Sequence, residues 1–276
     1  MGDDPEKEML VALARALAPA PEHFVVIGGA AQHLFRHVHS AQAVGFPALR
    51  TSDADVAVST TIGTAIRLDS QMAAQGFHEE VGGLTTPPVA RYVFGTKSDR
   101  YVEFVTHRTG SGDARGRQAS RTETIAGALA QRLPHIDVLL KLPWTIELLA
   151  ADGYCVGEER LHLRIANAAS YIAQKLLILR KRDEDNRAKD LVYVHDTLLI
   201  FAPALEQLAE LWRSVESPHS KTARDVARIA RSLGASVTDD TRRAAQLLGS
   251  LSRPGRSDEQ GFLNALDEGL TRVFPS

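Results

Sequence analysis

Apolar positions recur along this chain with two different periods, and the change comes somewhat past the midpoint. Over Pro5–Leu17, Met9, Leu10, Leu13, Ala14 and Leu17 share one face, which predicts a helix that Pro19 and Pro21 terminate. Phe24–Ile27 predicts a short buried strand, and Gly28-Gly29 turns it into a helix carrying Ala30, Ala31, Leu34 and Phe35. Val44–Ala48 reads as loop, Asp53–Ser59 as an alternating strand, and Ile62–Gln75 as a helix stopped at Gly76. Arg91–Gly95 and Arg100–Thr106 predict a hairpin joined through Thr96–Asp99; a Gly-, Ser- and Arg-rich loop follows over Thr109–Thr122. Ile136–Leu142 and Leu161–Ile165 read as two further strands. Beyond Ala166 the period is helical to the end, with helices expected over Ala168–Arg182, Arg187–Phe201, Pro203–Val215, Thr222–Leu233, Asp240–Leu251 and Gln260–Val273. Gly249–Glu259 is the most linker-like stretch of this half. The expected organisation is an α+β part over 1–160 followed by an all-helical part over 161–276 that completes a cleft.

Composition narrows the class. The chain has 276 residues, 44% hydrophobic and 24% charged, within the globular range and far from a disordered tail. No apolar run approaches the ~18 residues of a membrane helix, and the opening residues, with Asp3, Asp4, Glu6 and Glu8, are acidic, unlike a signal peptide. Cys155 is the single cysteine, so no intrachain disulfide forms and a reducing cytoplasm is the expected location. Thirty-two Lys and Arg against 34 Asp and Glu give a net charge of −2, which excludes a uniformly basic nucleic-acid coat but not a local basic cleft.

The chemistry centres on Asp53 and Asp55. At i and i+2 in a strand, both carboxylates project from one face and repel unless a cation sits between them. Mg²⁺, which takes one or two carboxylates plus substrate phosphates, suits that pair; the plainer reading is two surface aspartates at a strand end. Glu103, in the strand-like Tyr101-Val102-Glu103-Phe104-Val105, is a third carboxylate that would complete a metal site for phosphoryl transfer, or an exposed strand acid. Gly28-Gly29, between strand and helix, allows backbone amides to approach a phosphate, and a structural turn would read the same. Lys175, at the rim of the stripe Ile165, Ala169, Ile172, Leu176 and Leu179, can extend its charge toward a triphosphate. Asp183-Glu184-Asp185 reads as an inter-helix turn, with Asp185 or Asn186 capping the next helix and Lys189 and Asp190 in its first turns.

Gly28-Gly29, then Thr51-Ser52-Asp53-Ala54-Asp55, then Glu103, then Gln174-Lys175-Leu176-Leu177 and Arg187-Ala188-Lys189-Asp190-Leu191, resemble the nucleotidyltransferase fold of the DNA polymerase β-like superfamily. The pattern is most similar to the AbiEii/AbiGii-type bacterial nucleotidyltransferases and spans about residues 24 to 196. The resemblance implies a mixed β-sheet with flanking helices and a Mg²⁺- or Mn²⁺-dependent enzyme. Such an enzyme moves a nucleoside monophosphate from an NTP to an acceptor hydroxyl. In toxin members it implies tRNA or another RNA as acceptor and an antitoxin protein as partner. It assigns metal binding to Asp53, Asp55 and Glu103, and nucleotide binding to Gly28, Gly29, Thr51, Ser52, Lys175, Lys189 and Asp190. The chain departs from the family at Ala30 and Ala31, where a phosphate-touching Ser or Thr is usual, and at Tyr193, where a further acid is usual. A catalytically degenerate module that holds a nucleotide or partner, and an enzyme with a small-molecule acceptor, are the alternative readings.

Overall fold

The computed structural model describes residues 4–49, 51–63, 66–82, 89–95, 99–108, 122–250 and 259–275. The expected turn over Thr96–Asp99, the loop over Thr109–Thr122 and the linker over Gly249–Glu259 lie largely outside them. Contacts divide the chain into two compact units, Met1–Ala31 with Arg50–Ala166, and Gln32–Leu49 with Asn167–Ser276.

The first unit opens with α1 (Pro5–Leu17), where the Asp4 side chain accepts the Glu6 N–H at 3.1 Å and Pro5 occupies the first turn. Next come β1 (Phe24–Ile27), α2 (Gly28–Leu34, through which the division between units passes), β2 (Asp53–Val58) and α3 (Leu68–Ala74). The rest of the unit is β3 (Phe77–Gly82), β4 (Val89–Phe94), β5 (Tyr101–His107), β6 (Thr122–Ile125), β7 (Ala128–Leu133), α4 (Ile136–Leu139), β8 (Trp144–Leu148) and β9 (Leu161–Ile165). The strands form one mixed sheet in the order β3-β4-β5-β2-β1-β9-β8. β2 runs antiparallel to β1 and parallel to β5, while β9 runs parallel to β1. The second half of β5 pairs with β7, which forms a hairpin with β6.

Register sorts the sheet's faces. Val25, Ala57 and Val105 lie opposite one another on β1, β2 and β5, and they join Ile27, Ala166 and the α4 residues Ile136 and Leu139 in a buried cluster. The expected strand over Ile136–Leu142 is instead this one-turn helix. His135 enters it with φ 62° and Leu142 follows with φ 46°, both incompatible with an extended strand. A short apolar run carries no periodicity that would separate the two possibilities.

One other boundary differs. The helix expected over Ile62–Gln75 begins only at Leu68, whose N–H is bonded to the Ala126 carbonyl at 2.7 Å in the β6–β7 turn. That turn has positive φ at Ala126 (52°) and Gly127 (87°), which matches the twist of a two-residue hairpin connection.

In the second unit α5 (Ala168–Ile178) is capped by Asn167, whose side-chain oxygen accepts the Ser170 N–H at 2.8 Å. α6 (Glu184–Ile200), α7 (Leu205–Val215), α8 (Lys221–Gly234), α9 (Asp239–Ser250) and α10 (Glu259–Val273) follow, close to the expected bounds. The cap of α6 is Asp183, not Asp185 or Asn186: its carboxylate accepts the Asn186 N–H at 2.9 Å. Segment 32–49 is tied to the end of α6 through Gln42, whose backbone N–H and side-chain amide donate to the Ile200 and Leu199 carbonyls at 2.9 and 2.7 Å. Phe35, fully buried, makes edge-on contacts with Tyr171 (5.2 Å) and Phe201 (5.6 Å). Among the described residues no helix is long and apolar enough to cross a membrane.

Phe35→Ala is expected to destabilise the fold by about 3–5 kcal/mol, because a large ring leaves a cavity between two others. Arg15→Gln, which breaks only the exposed pair to Glu159, is expected to change stability by under about 1 kcal/mol. Urea unfolding of the two variants beside the parent chain checks both.

Candidate active site

The sheet face that is buried beneath α4 at Val25, Ala57 and Val105 becomes acidic two residues further along. There the register sets Ile27, Asp55, Glu103 and Arg91 side by side on β1, β2, β5 and β4. The next row pairs Asp53 with Tyr101. Asp53 and Asp55 are partly exposed, whereas the intervening Ala54 and the following Val56 are buried, as alternation requires. Ala57, on the same face as Asp53 and Asp55 by parity, is buried in the cluster with α4.

β1 ends where Gly28 adopts φ +64°, and a Cβ there would lie 2.5 Å from Oδ2 of Asp55. Glycine is required at this position because the carboxylate occupies the space a side chain would need. Thr51 donates its hydroxyl to the Asp53 carboxylate and its carbonyl, the latter at 3.1 Å. The Ser52 carbonyl accepts the Tyr101 N–H at 3.2 Å, and the Ser52 side chain is exposed.

Glu103 is engaged. Its Oε1 accepts Nε of Arg91 at 2.9 Å, and the same guanidinium lies 4.5 Å above the Tyr101 ring. The hydrogen bond to Glu103 holds the Arg91 guanidinium above its ordinary pKa, and the charges of Glu103 and Asp53 add to the effect. Burial, and then the Asp53 carboxylate, push the Tyr101 hydroxyl up. Among the described residues no group of three or more His, Cys, Asp or Glu side chains could hold a metal ion. Asp53 and Asp55 are hard oxygen donors on one face, a set that fits a Mg²⁺ completed by substrate phosphates and water.

In the second unit the sequence reading places the Lys175 ammonium at a rim; the structure buries it. Its Nζ lies 2.5 Å from Oδ1 of Asp190, 5.6 Å from the Tyr171 ring and 5.2 Å from the Tyr193 ring. Lys175 and Asp190 are 6% and 4% exposed, so the pair is a desolvated one. Arg182 donates to the other carboxylate oxygen of Asp190 at 3.3 Å. Lys189 is exposed, with Nζ 5.7 Å above Tyr193. Arg187 grips Asp240 through both carboxylate oxygens at 2.9 Å, and that bond holds its guanidinium above its ordinary pKa.

A protein-family model described as nucleotidyltransferase matches residues 8–217. The chain belongs to the nucleotidyltransferase family. Among solved structures, MenT4, a nucleotidyltransferase toxin from Mycobacterium tuberculosis, is similar over 98% of this chain and 92% of that one, at 14% identity and a TM-score of 0.33. The curated proteins contain no match.

Within this nucleotidyltransferase the two departures have structural counterparts. Ala30 and Ala31 are 1% and 0% exposed, so their side chains pack inside rather than face a ligand. Tyr193, in place of an acid, presents its ring to both Lys175 and Lys189. Arg91 is the site residue that sequence reading missed. The hairpin was legible, but the opposition of Arg91 to Glu103 depends on its register, which no window of sequence fixes.

Gly28→Ala is expected to lower stability by about 1–2 kcal/mol through the left-handed backbone alone, and to displace Asp55. Gly29→Ala, which is helical without a positive φ, is expected to be neutral or mildly stabilising; thermal melting distinguishes them. Lys175→Met is expected to cost about 3–5 kcal/mol by stranding Asp190, and the double change with Asp190→Leu to recover most of that loss. A double-mutant cycle in urea reads the coupling.

Proposed function

We propose that this nucleotidyltransferase is metal-dependent and transfers a nucleoside monophosphate from an NTP to a hydroxyl of RNA, with tRNA the leading acceptor. The observation that carries the reading is the acid row, the partly exposed Asp53 and Asp55 beside Glu103, with the Gly28 turn against Asp55. Asp53 and Asp55 would hold the divalent ion, Mg²⁺ or Mn²⁺, and Glu103 is the third carboxylate of the set. Bound there, the ion would neutralise charge on the triphosphate and on the leaving pyrophosphate. The acceptor oxygen bonds to the α-phosphorus, the bond to the β-phosphate oxygen breaks, and the hydroxyl proton leaves to a carboxylate of this row.

Thr51 steadies Asp53, while Gly28, Gly29 and Ser52 offer backbone and hydroxyl groups to phosphate. In the second unit the buried Lys175–Asp190 pair is a positioning element within α5 and α6, and Lys189 is the exposed cation of that signature, the one of its two lysines that would carry nucleotide binding. The likeness of the motifs to AbiEii/AbiGii-type proteins supports RNA as acceptor, and with it a role as toxin and an antitoxin as partner. The packing of Ala30 and Ala31 favours, as a second reading, a protein that binds nucleotide without transferring it.

Incubation with labelled NTPs, Mg²⁺ or Mn²⁺ and total tRNA is expected to place label on RNA. Asp53→Asn and Asp55→Asn are each expected to reduce transfer at least ~10²-fold with melting little changed, because the developing charge loses its counter-ion. Near-wild-type transfer by either variant would refute the assignment. Nucleotide binding without transfer to any acceptor would favour the second reading.

A further inference from the structure

Arg91 belongs to none of the sequence motifs, yet it closes the acid row. Its register partner on β5 is Glu103, whose neighbour on β2 is Asp55, and its guanidinium stacks on Tyr101, the register partner of Asp53. It therefore flanks both rows of carboxylates. On its other side Glu80 of β3 is its register partner, but the Glu80 carboxylate lies against His78 at 3.4 Å, and the hydrogen bond of Arg91 runs inward to Glu103. The Arg91 side chain is 54% exposed and that of Glu103 19%, so the pair sits at the open edge of the site. Exposed pairs contribute little to stability and are readily exchanged. The bond to Glu103 uses Nε, and a guanidinium has further donors in a fork that matches phosphate oxygens. The aromatic stack gives that fork a pivot that does not depend on Glu103.

We infer that Arg91 is an exchangeable counter-ion, a site residue that neutralises Glu103 in the nucleotide-free protein and releases it on binding. Arg91 gives Glu103 up to the incoming divalent ion and turns its fork to the anionic oxygens of the triphosphate. Charge is conserved in the exchange: Glu103 trades one cation for another, and Arg91 one anion for another. This inference rests on the reading of Asp53, Asp55 and Glu103 as the nucleotide site.

The test measures binding, not turnover. Free Mn²⁺ is followed by electron paramagnetic resonance, and binding of non-hydrolysable analogues of the four NTPs by calorimetry, with and without Mn²⁺. Arg91→Ala is expected to bind Mn²⁺ alone severalfold more tightly, since a competing cation is gone, and the Mn²⁺–analogue complex about tenfold more weakly. Arg91→Lys, which keeps the charge but not the fork, is expected to leave Mn²⁺ affinity unchanged and still lose part of the analogue affinity. Glu103→Gln frees the guanidinium, so in EDTA this variant is expected to bind the analogue more tightly than the parent chain.

If the parent chain binds both ligands and Arg91→Ala matches it in each within twofold, Arg91 is a surface ion pair only and the inference fails while the site stands. A parent chain that binds neither Mn²⁺ nor any analogue overturns the site reading and this inference with it. Should Arg91→Ala not fold, the Glu103→Gln measurement in EDTA decides alone, and unchanged analogue binding rejects the exchange.

Discussion

Like charges on neighbouring strands repel, and the first unit arranges its parts around such a repulsion. Parallel pairing of β2 with β5 puts Asp55 beside Glu103 and Asp53 beside Tyr101, so the sheet itself enforces the crowding. Three features answer it. Arg91 neutralises Glu103 from the far side, Thr51 gives Asp53 a hydroxyl donor, and the absence of a side chain at Gly28 makes room for Asp55. The face can carry this charge because Asp53 and Asp55 keep partial exposure, while Ile27 of the same row is buried with α4. One row nearer the core, the same face is occupied by Val25, Ala57 and Val105. A hydrophobic floor immediately next to an acid row keeps the carboxylates positioned by rigid strands rather than by a loop.

The second unit carries the opposite kind of electrostatics. Lys175 and Asp190 are desolvated together, with tyrosine rings on the ammonium and Arg182 on the remaining carboxylate oxygen. Such a pair contributes little net stability against an apolar replacement, but losing one partner is costly. Its geometric effect is to pin α5 to the first turns of α6, which sets the placement of Lys189. Two lysines and an aspartate that look like ligands in the motif thus divide the work: the buried Lys175 and Asp190 fix the helices and the exposed Lys189 keeps its charge in solvent.

Tyr193 fits that division. A further acid on this turn of α6 would add a negative charge beside Asp190, whereas a ring stabilises both nearby ammonium groups through its π face without adding charge to be desolvated. At α2 the small buried side chains of Ala30 and Ala31 let the helix start close behind Gly28.

Period and punctuation alone were enough for α1, β1, β2, the β4–β5 hairpin, β9 and the helices of the second unit, because amphipathic alternation and capping residues act over a few positions. The same local physics put Asp53 and Asp55 on one face and named Gly28 as a turn. What the chain could not declare locally was decided by partners distant in sequence. α4 looked like a strand because an apolar run of that length suits either state, and the left-handed His135 that starts it has no sequence signature. β3, β6, β7 and β8 escaped notice because their residues become strands by pairing with edges already present. The burial of Lys175 and the bond between Arg91 and Glu103 depend on helix packing and on strand register. Neither is encoded in any window of sequence, since both are set only when side chains far apart along the chain compete for the same space and the same charge.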